Sequence, residues 1–265
     1  MLLIKLADQL FAGGGCALHT NDVMFSWAHD LCSSYGPWHH TLTYAQSLNG
    51  AIGLRNQHTL LSCDRSMAVT HRLRQQHDAL VIGWNTLVTD NPSLTVRHFP
   101  KEEIAHHPVP VILDTHLKGA SHIQQSTLPR LLDPVIRRSP VHGSIPPAPL
   151  WLCHVSMLHT PAYMYMSQYA TVIPLHTLDS QGHFIWRDVF QVLRQCNLDR
   201  VMVEGGARII QSALQSNAFD TLLITVSPCF LGPNAVSPQP CSSLQLPQPI
   251  WIPSGTDMLL LSRLS

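Results

Sequence analysis

Few residues of this chain are charged: only 12% of the 265 residues are Asp, Glu, Lys or Arg. The 16 basic and 16 acidic residues cancel, and a chain without a basic field is a poor partner for nucleic acid. Among the basic residues lysine is the rarer, with 3 residues outside any motif-like segment against 13 arginines. Schiff-base catalysis by lysine is therefore not expected, whereas arginine suits bidentate recognition of phosphate or carboxylate.

Motifs for metal and disulfide chemistry are also missing. The seven cysteines are scattered and form no CxxC pair, which indicates reduced thiols rather than a disulfide framework or zinc site. The histidines form no HExxH array, and the zinc-deaminase pattern, HxE followed by PCxxC, is absent. We therefore expect no metal site.

No apolar run is long enough to span a bilayer, so we expect no membrane contact. The N-terminal stretch MLLIKLADQLFAGGG favours a short docking helix, because three of its leucines lie near helical spacing. A targeting peptide is the alternative. The expected compartment is the cytoplasm, and import into an organelle stays open.

What the chain does contain is a 45% apolar fraction, enough for a large core, arranged as strands that alternate with helices. This alternation predicts an α/β fold with a mostly parallel central sheet flanked by helices. Residues 1–39 form an N-terminal extension, and residues 40–265 form one domain. Within it we predict an 84–97 loop and an irregular insert near 118–150. The predicted strands are 40–49, 77–83, 109–114, 148–155, 169–175, the run before Gly205, 219–232 and 257–264, and the predicted helices are 62–76, 186–197 and the segment after Gly206.

The strongest local signal is the run VMVEGGARII, in which a buried strand leads through Gly205 and Gly206 into a helix. The free N–H groups of such a helix can bind an anion such as a pyrophosphate, although GxGxxG is absent. A tight turn that binds nothing is the alternative. Glu204 ends the strand, where it faces a ligand crevice or complements the helix dipole.

Two arginines, Arg74 and Arg97, bracket a strand and a loop. With Ser62 and the loop of Asp90 they can form a pocket for a sugar phosphate. The alternatives are surface ion pairs for the arginines, a turn cap for Asp90 and a helix N-cap for Ser62.

Three blocks of the chain resemble the riboflavin-pathway reductase family. This family comprises the reductase domain of the bifunctional bacterial deaminase-reductase and the stand-alone fungal and archaeal diaminohydroxyphosphoribosylamino-pyrimidine reductase. VILDT (111–115) lies between the second and third blocks, and GTDMLLLSRL is similar to the family's last strand, so the resemblance covers roughly residues 40–265. The blocks are LTYAQSLNGAIG, HRLRQQHDALVIGWNTLVTDNPSLTVR and VMVEGGARIIQSAL with FDTLLITVSPCFLG.

The resemblance implies a dihydrofolate-reductase-like fold, NADPH as hydride donor and a homodimer. Members of the family reduce the ribosyl group of a pyrimidine ribosylamine 5′-phosphate to a ribityl group, with hydride passing from nicotinamide C4 to sugar C1. Because the zinc signature is missing, we expect no fused deaminase domain.

The site residues implied by the resemblance fall into three sets. Two catalytic residues are Asp90 and Glu204. The substrate-binding residues are Ser62, Arg74, Ser93, Leu94, Arg97 and Glu204. The two arginines bind the 5′-phosphate with Ser62 nearby, and Glu204 binds ribose hydroxyls. Ser93 and Leu94 contact the pyrimidine and the ribose. The cofactor-binding residues are Ala45, Ser47, Gly83, Thr86, Leu87, Gly205, Gly206 and Ala207. Ala45 and Ser47 lie beside the nicotinamide, and residues 205–207 bind the pyrophosphate.

The first block departs from the family at two positions. Where the family has Ser-Leu-Asp-Gly-Lys or Ser-Leu-Asp-Ser-Arg, this chain has Asn49 for the acid and Ala51 for the base. The lost basic side chain removes a charge-assisted bond of about 1.5–3 kcal/mol, and Arg55 is the nearest replacement in sequence. Two alternatives follow: a related reductase for another substrate such as a pterin, or a non-catalytic NADPH-binding protein.

Overall fold

The computed structural model describes residues 38–98, 100, 104, 106–125, 129–133, 146–238, 240 and 243–264. The predicted N-terminal docking helix and parts of the predicted insert, 126–128 and 134–145, lie outside the described residues.

Strands and helices alternate along most of the described chain. The strands are β1 (His39–Ser47), β2 (Gly53–Leu54), β3 (Ala79–Gly83), β4 (Val109–Leu113), β5 (Leu150–His154), β6 (Thr171–Leu175), β7 (Arg200–Gly205), β8 (Thr221–Ser227), β9 (Ala235–Val236), β10 (Ile250–Ser254) and β11 (Asp257–Arg263). The helices are α1 (Asp64–Gln75), α2 (Trp84–Asp90), α3 (Lys118–Gln125), α4 (Pro161–Met166), α5 (Trp186–Gln195) and α6 (Ala207–Gln215), with one 3-10 turn at Val155–Met157.

Nine strands form one sheet in the order β10-β11-β8-β1-β7-β3-β4-β5-β6. β11 pairs antiparallel with both of its neighbours, and all other pairings in this sheet are parallel. The carboxyl ends of β1, β7 and β3 therefore lie side by side at one edge. The mostly parallel α/β sheet predicted from the sequence is confirmed.

The core occupies both faces of this sheet, which is why strands such as β3 are continuous apolar runs. All five residues of β3 are buried. Leu80 and Ile82 pack into one apolar cluster with α1, while Val81 packs into the other with α5 and α6. Each fully buried Leu or Ile contributes roughly 1.5–3 kcal/mol, so this strand fixes both helix layers.

The N-cap of helix α1 lies one residue later than predicted. This N-cap is Cys63, whose side chain makes no capping hydrogen bond, so the N-cap role predicted for Ser62 is wrong. Asp64 in the first turn and Arg74 in the last turn instead match the helix dipole.

Two segments predicted as irregular contain helices. The 84–97 loop begins with α2, because Trp84 and Leu87 pack into the core. The turn residues end this helix, with Asn91 as a left-handed C-cap at φ 40°. The predicted insert near 118–150 likewise begins with α3 at Lys118–Gln125.

Candidate active site at the carboxyl edge of the sheet

The two-glycine turn lies where β7 meets α6. Gly205 and Gly206 have φ of 124° and 77°, a region that disfavours residues with a Cβ atom. A Cβ on Gly206 would lie 2.7 Å from the Thr86 hydroxyl oxygen. The backbone therefore approaches α2 closely, and the first N–H groups of α6, from Ala207 onward, remain available to an anion.

Gly83 lies beside this turn, at the end of β3. A Cβ there would lie 2.9 Å from Ile209 Cγ1 and 3.8 Å from the Gly205 carbonyl oxygen. The structure thus brings together four residues of the predicted cofactor set, Gly83, Thr86, Gly205 and Gly206. Leu87 belongs to the same set, but its side chain is 1% exposed within the core, so it cannot line a groove through that side chain.

An arginine–carboxylate pair lies on the sheet face beneath α1. Arg74 Nε donates to Glu204 Oε1 at 2.6 Å and Arg74 Nη2 donates to Oε2 at 2.7 Å. The side chains are 9% and 15% exposed. Arg74 Nη1 also donates to the Thr95 carbonyl at 3.0 Å. The predicted phosphate-gripping arginine is therefore already held by the predicted ribose-binding carboxylate.

Arg97 supplies a second cation beside this pair. Burial, followed by the charge of Arg74, lowers the pKa of the Arg97 guanidinium, and Glu204 opposes that shift. Arg130 adds a further positive charge nearby. Around the Arg97 guanidinium, the arginines therefore outnumber the one carboxylate that acts on it, and this local excess of positive charge suits a phosphate group.

The two predicted catalytic residues have separate partners. Asp90 ends α2, and its carboxylate lies 3.1 Å from Nδ1 of the exposed His58, whereas Glu204 binds Arg74. Between Asp90 and Arg97 the chain contains Ser93, half-buried, and Leu94, which is 1% exposed with φ 52°. Leu94 therefore packs into the core and offers a ligand only its backbone.

Ser62 immediately precedes the N-cap of α1, at the opposite end of this helix from Arg74. Its neighbour Cys63 donates from its backbone N–H to Asp257 at 2.8 Å and from Sγ to the Ser254 carbonyl at 3.1 Å, which places the start of α1 beside the β10–β11 turn. The predicted place of Ser62 at the 5′-phosphate stays a prediction. The carboxylate of Asp64, two residues further along, acts on His98, the residue after Arg97.

The turn after β1 carries the departures from the family pattern. Ser47 Oγ donates to Asn49 Oδ1 at 2.7 Å and accepts from the Ala51 N–H at 3.1 Å, so this hydroxyl is committed to the turn. Asn49 also donates to the Leu231 carbonyl at 2.9 Å and accepts from the Leu231 N–H at 3.1 Å. Ala51 is fully buried, and Ala45 is half-buried two residues before the end of β1.

His71 is a site residue that the sequence patterns did not reveal. It lies one turn before Arg74 and is fully buried. Its Nδ1 accepts from the Arg97 backbone N–H at 2.9 Å. The available signal was a histidine three residues before an arginine on one helix face.

A cavity of about 940 Å³ lies at the opposite end of the sheet. Trp38, Trp186, Phe190 and Arg194 are among its lining residues, and none of the predicted site residues lines it. We assign the site to the carboxyl edge, because the glycine turn and the ionic groups converge there and ligands of open α/β sheets bind at that edge.

Within the described residues, no group of three His, Cys, Asp or Glu side chains could hold a metal ion. In the same part of the chain, no helix has the length and apolarity to cross a membrane.

An open, mostly parallel sheet with a two-glycine turn and an arginine cluster at its carboxyl edge defines an α/β protein whose carboxyl edge is suited to a ligand. The chain belongs to the family of the RibD C-terminal domain, whose sequence model matches residues 39–259.

Similar proteins support this assignment. The chain is 30% identical over 234 residues to the 2,5-diamino-6-ribosylamino-4(3H)-pyrimidinone 5′-phosphate reductase of Saccharomyces cerevisiae, covering 85% of this chain and 86% of the yeast protein. The enzyme of the same name from Debaryomyces hansenii is 31% identical over 232 residues, covering 85% and 89% of the two chains.

Solved structures agree on the fold. The riboflavin biosynthesis reductase Rib7 of S. cerevisiae superposes with a TM-score of 0.67 at 26% identity, covering 87% of this chain and 92% of Rib7. The deaminase/reductase of Thermotoga maritima gives a TM-score of 0.62 at 19% identity, covering 85% of this chain and 56% of that protein. The dihydrofolate-reductase-like fold implied by the resemblance is confirmed.

Proposed function

We propose that this protein is an NADPH-dependent reductase of riboflavin biosynthesis that converts the ribosyl group of a pyrimidine ribosylamine 5′-phosphate to a ribityl group. The observation that carries the proposal is one edge of the sheet, where the Gly205-Gly206 turn lies close to the Arg74–Glu204 pair and Arg97. The glycine turn suits the pyrophosphate of a dinucleotide, and the arginines suit a sugar phosphate. The named reductase activity of the yeast relatives supports the same reaction.

The residues of this edge fit a dinucleotide cofactor. The close approach of Gly206 to Thr86 leaves no room for a side chain, and Ala207 begins a helix whose free N–H groups suit a pyrophosphate. We assign NADPH contacts to Gly83, Thr86 and the residues 205–207, and the nicotinamide to the end of β1 near Ala45 and Ser47. Bound there, the cofactor supplies a hydride.

The chemistry requires positioning more than covalent help. Reduction of the ring-opened imine adds a hydride to sugar C1 and a proton to the attached nitrogen. Arg97 and Arg74 would bind the 5′-phosphate, Glu204 the ribose hydroxyls, and Asp90 with the backbone of residues 93–94 the pyrimidine and ribose. Such positioning lowers the barrier, because the two reacting carbons are held close together.

The direct test is a purified-protein assay that follows NADPH absorbance. The substrates are 2,5-diamino-6-ribosylamino-4(3H)-pyrimidinone 5′-phosphate and its deaminated counterpart, with NADH in parallel. Arg97→Gln should raise KM, because the variant lacks the free cation, while the exposed-site control Arg194→Gln should not. Absence of NADPH oxidation above the blank with both substrates would sink the proposal. We further expect a cytoplasmic homodimer, which sedimentation and fractionation can check.

One observation favours a second candidate, a reductase for another substrate such as a pterin. Among the described contacts, no basic side chain reaches the turn at Asn49 and Ala51, and Arg55 is exposed and bonds there only through its backbone N–H to Asn234. Turnover of a dihydropterin without turnover of either pyrimidine would establish that candidate. Tight NADPH binding with no turnover on any substrate would instead indicate a binding protein.

A further inference from the structure

His71 touches both arginines of the candidate site. Its Nδ1 lies 2.9 Å from the backbone nitrogen of Arg97, and its Nε2 lies 3.4 Å from Nη1 of Arg74. The imidazole is fully buried on α1. One side chain therefore joins the helix that carries Arg74 to the loop that carries Arg97.

Donor and acceptor chemistry decides which contact is a hydrogen bond. A guanidinium and a backbone N–H can only donate, and a neutral imidazole has one acceptor nitrogen. His71 can therefore accept from only one of them, and the shorter, 2.9 Å contact identifies the Arg97 N–H as the donor. Nδ1 is then unprotonated, Nε2 carries the proton, and the 3.4 Å approach of Nε2 to Arg74 Nη1 is not a hydrogen bond.

The surroundings keep this imidazole neutral. Burial first, and then the positive charges of Arg74 and Arg97, lower the pKa of His71 far below its ordinary value. A proton on Nδ1 would displace the Arg97 N–H, so neutrality preserves the link.

Arg97 depends on its backbone for its orientation. Arg74 is fixed by Glu204 and by the Thr95 carbonyl, whereas the Arg97 guanidinium has no hydrogen bond or ion pair with the described residues. Its loop has neither helix nor strand. The preceding N–H, that of Val96, donates to Nδ1 of His107 at 3.0 Å, so imidazoles accept from two consecutive N–H groups.

We propose that His71 is a positioning residue, which aims Arg97 at the phosphate of the substrate by accepting its backbone N–H. This inference rests on the proposed function. It adds to that function, because it says that the loop carrying the phosphate-binding Arg97 is held in place by the neutral imidazole of His71.

The variants His71→Asn, His71→Gln and His71→Leu separate positioning from general stability. An Asn amide oxygen can reach the place of Nδ1, whereas the longer Gln side chain reaches towards Nε2. We expect His71→Asn to keep KM within about threefold of wild type. His71→Gln and His71→Leu should raise KM for the phosphorylated pyrimidine about tenfold, equal to about 1.4 kcal/mol, with kcat changed less than about threefold.

The control is His77→Asn. His77 is another buried histidine next to α1, and it contacts Thr41 Oγ1 at 2.9 Å and the Leu73 carbonyl at 2.7 Å. We expect it to lower Tm without changing KM. Equal KM values for His71→Asn and His71→Gln, or an unchanged KM in His71→Leu, would overturn the inference, and the Asn/Gln pair still decides if the Leu variant does not fold.

Calorimetry with ribose 5-phosphate and ribose keeps the inference testable without turnover. Wild type and His71→Asn should prefer the phosphate ester, and His71→Gln should lose about tenfold of that preference. If wild type reduces no pyrimidine, the proposed function fails while these affinities still decide the role of His71. Equal wild-type affinity for the two sugars would overturn it.

Discussion

Removing the negative charge of Glu204 should destabilise the fold strongly, because Glu204 neutralises a buried guanidinium. Two hydrogen bonds of 2.6 and 2.7 Å join it to Arg74. Charges about 4 Å apart attract by about 4 kcal/mol at an effective dielectric of 20, and breaking a buried pair costs roughly 3–5 kcal/mol. Glu204→Gln keeps one acceptor oxygen and the pair retains some exposure, so we expect a loss of about 2–3 kcal/mol.

The assay is urea denaturation of Arg74→Met, Glu204→Gln and the double variant, read as a double-mutant cycle. A loss of about 2–3 kcal/mol should lower Tm by roughly 5–10 °C for a chain of this size. The matched control is Asp199→Asn. That residue pairs with Arg194 at 3.9 Å while their side chains are 37% and 51% exposed, and such pairs contribute at most about 1 kcal/mol.

The double variant is the sharper measurement. With both charges gone, no uncompensated ion remains. We therefore expect the double variant to lose less stability than the sum of the two single losses. It should also fail to bind ribose 5-phosphate tightly. Single losses below about 1 kcal/mol that add without coupling would refute the claim that this pair is a buried, mutually dependent unit.

Three further changes test other parts of the edge. Gly206→Ala should weaken NADPH binding and lower the stability of the fold by about 1–3 kcal/mol, because the φ of Gly206 is 77° and a Cβ there would meet the Thr86 hydroxyl. Fluorescence titration and thermal melting measure the two effects. Gly232→Ala, with open space around it, is the control that should change neither. Ser47→Ala should cost about 1–2 kcal/mol in urea, because it removes two hydrogen bonds of the turn, and an unchanged midpoint would contradict this. Burial lowers the pKa of His77 from 6.5 to about 4, so the unfolded chain binds a proton at a higher pH than the folded chain does. Stability should therefore fall by about 3 kcal/mol as the pH drops from 6.5 to 4. Denaturation curves at several pH values should show a smaller fall for His77→Asn.

The buried strands were the most predictable part of the fold. β3 and β4 are continuous apolar runs, and β7 contains one at residues 201–203, because both faces of these strands are covered. Each was predicted within about two residues of its bounds. The turn at Gly205 and Gly206 was also predictable, because two successive glycines after such a strand indicate a backbone that ordinary residues cannot adopt.

The elements that sequence reasoning missed depend on tertiary packing. α2 was hidden because Asp90, Asn91 and Pro92 dominate its C-terminal end, although they terminate the helix rather than replace it. β10 was hidden because its residues alternate between exposed and buried and include Pro253. Its strand character comes from pairing with β11.

The candidate site was predictable in membership but not in pairing. Arg74 and Glu204 are 130 positions apart, and no local pattern indicates that one holds the other. The link between His71 and Arg97 is likewise a backbone contact, and the chemistry of the residues alone does not reveal it.

The turn after β1 shows how a lost acid and a lost base can be replaced by structure. An aspartate at position 49 could accept from the Leu231 N–H, but it has no N–H with which to donate to the Leu231 carbonyl. Asn49 does both, so it clamps the turn to the loop after β8 through two hydrogen bonds. Ala51 is fully buried and contributes no charge, so we expect Arg74 and Arg97 to supply the positive charge that binds the substrate phosphate in this protein.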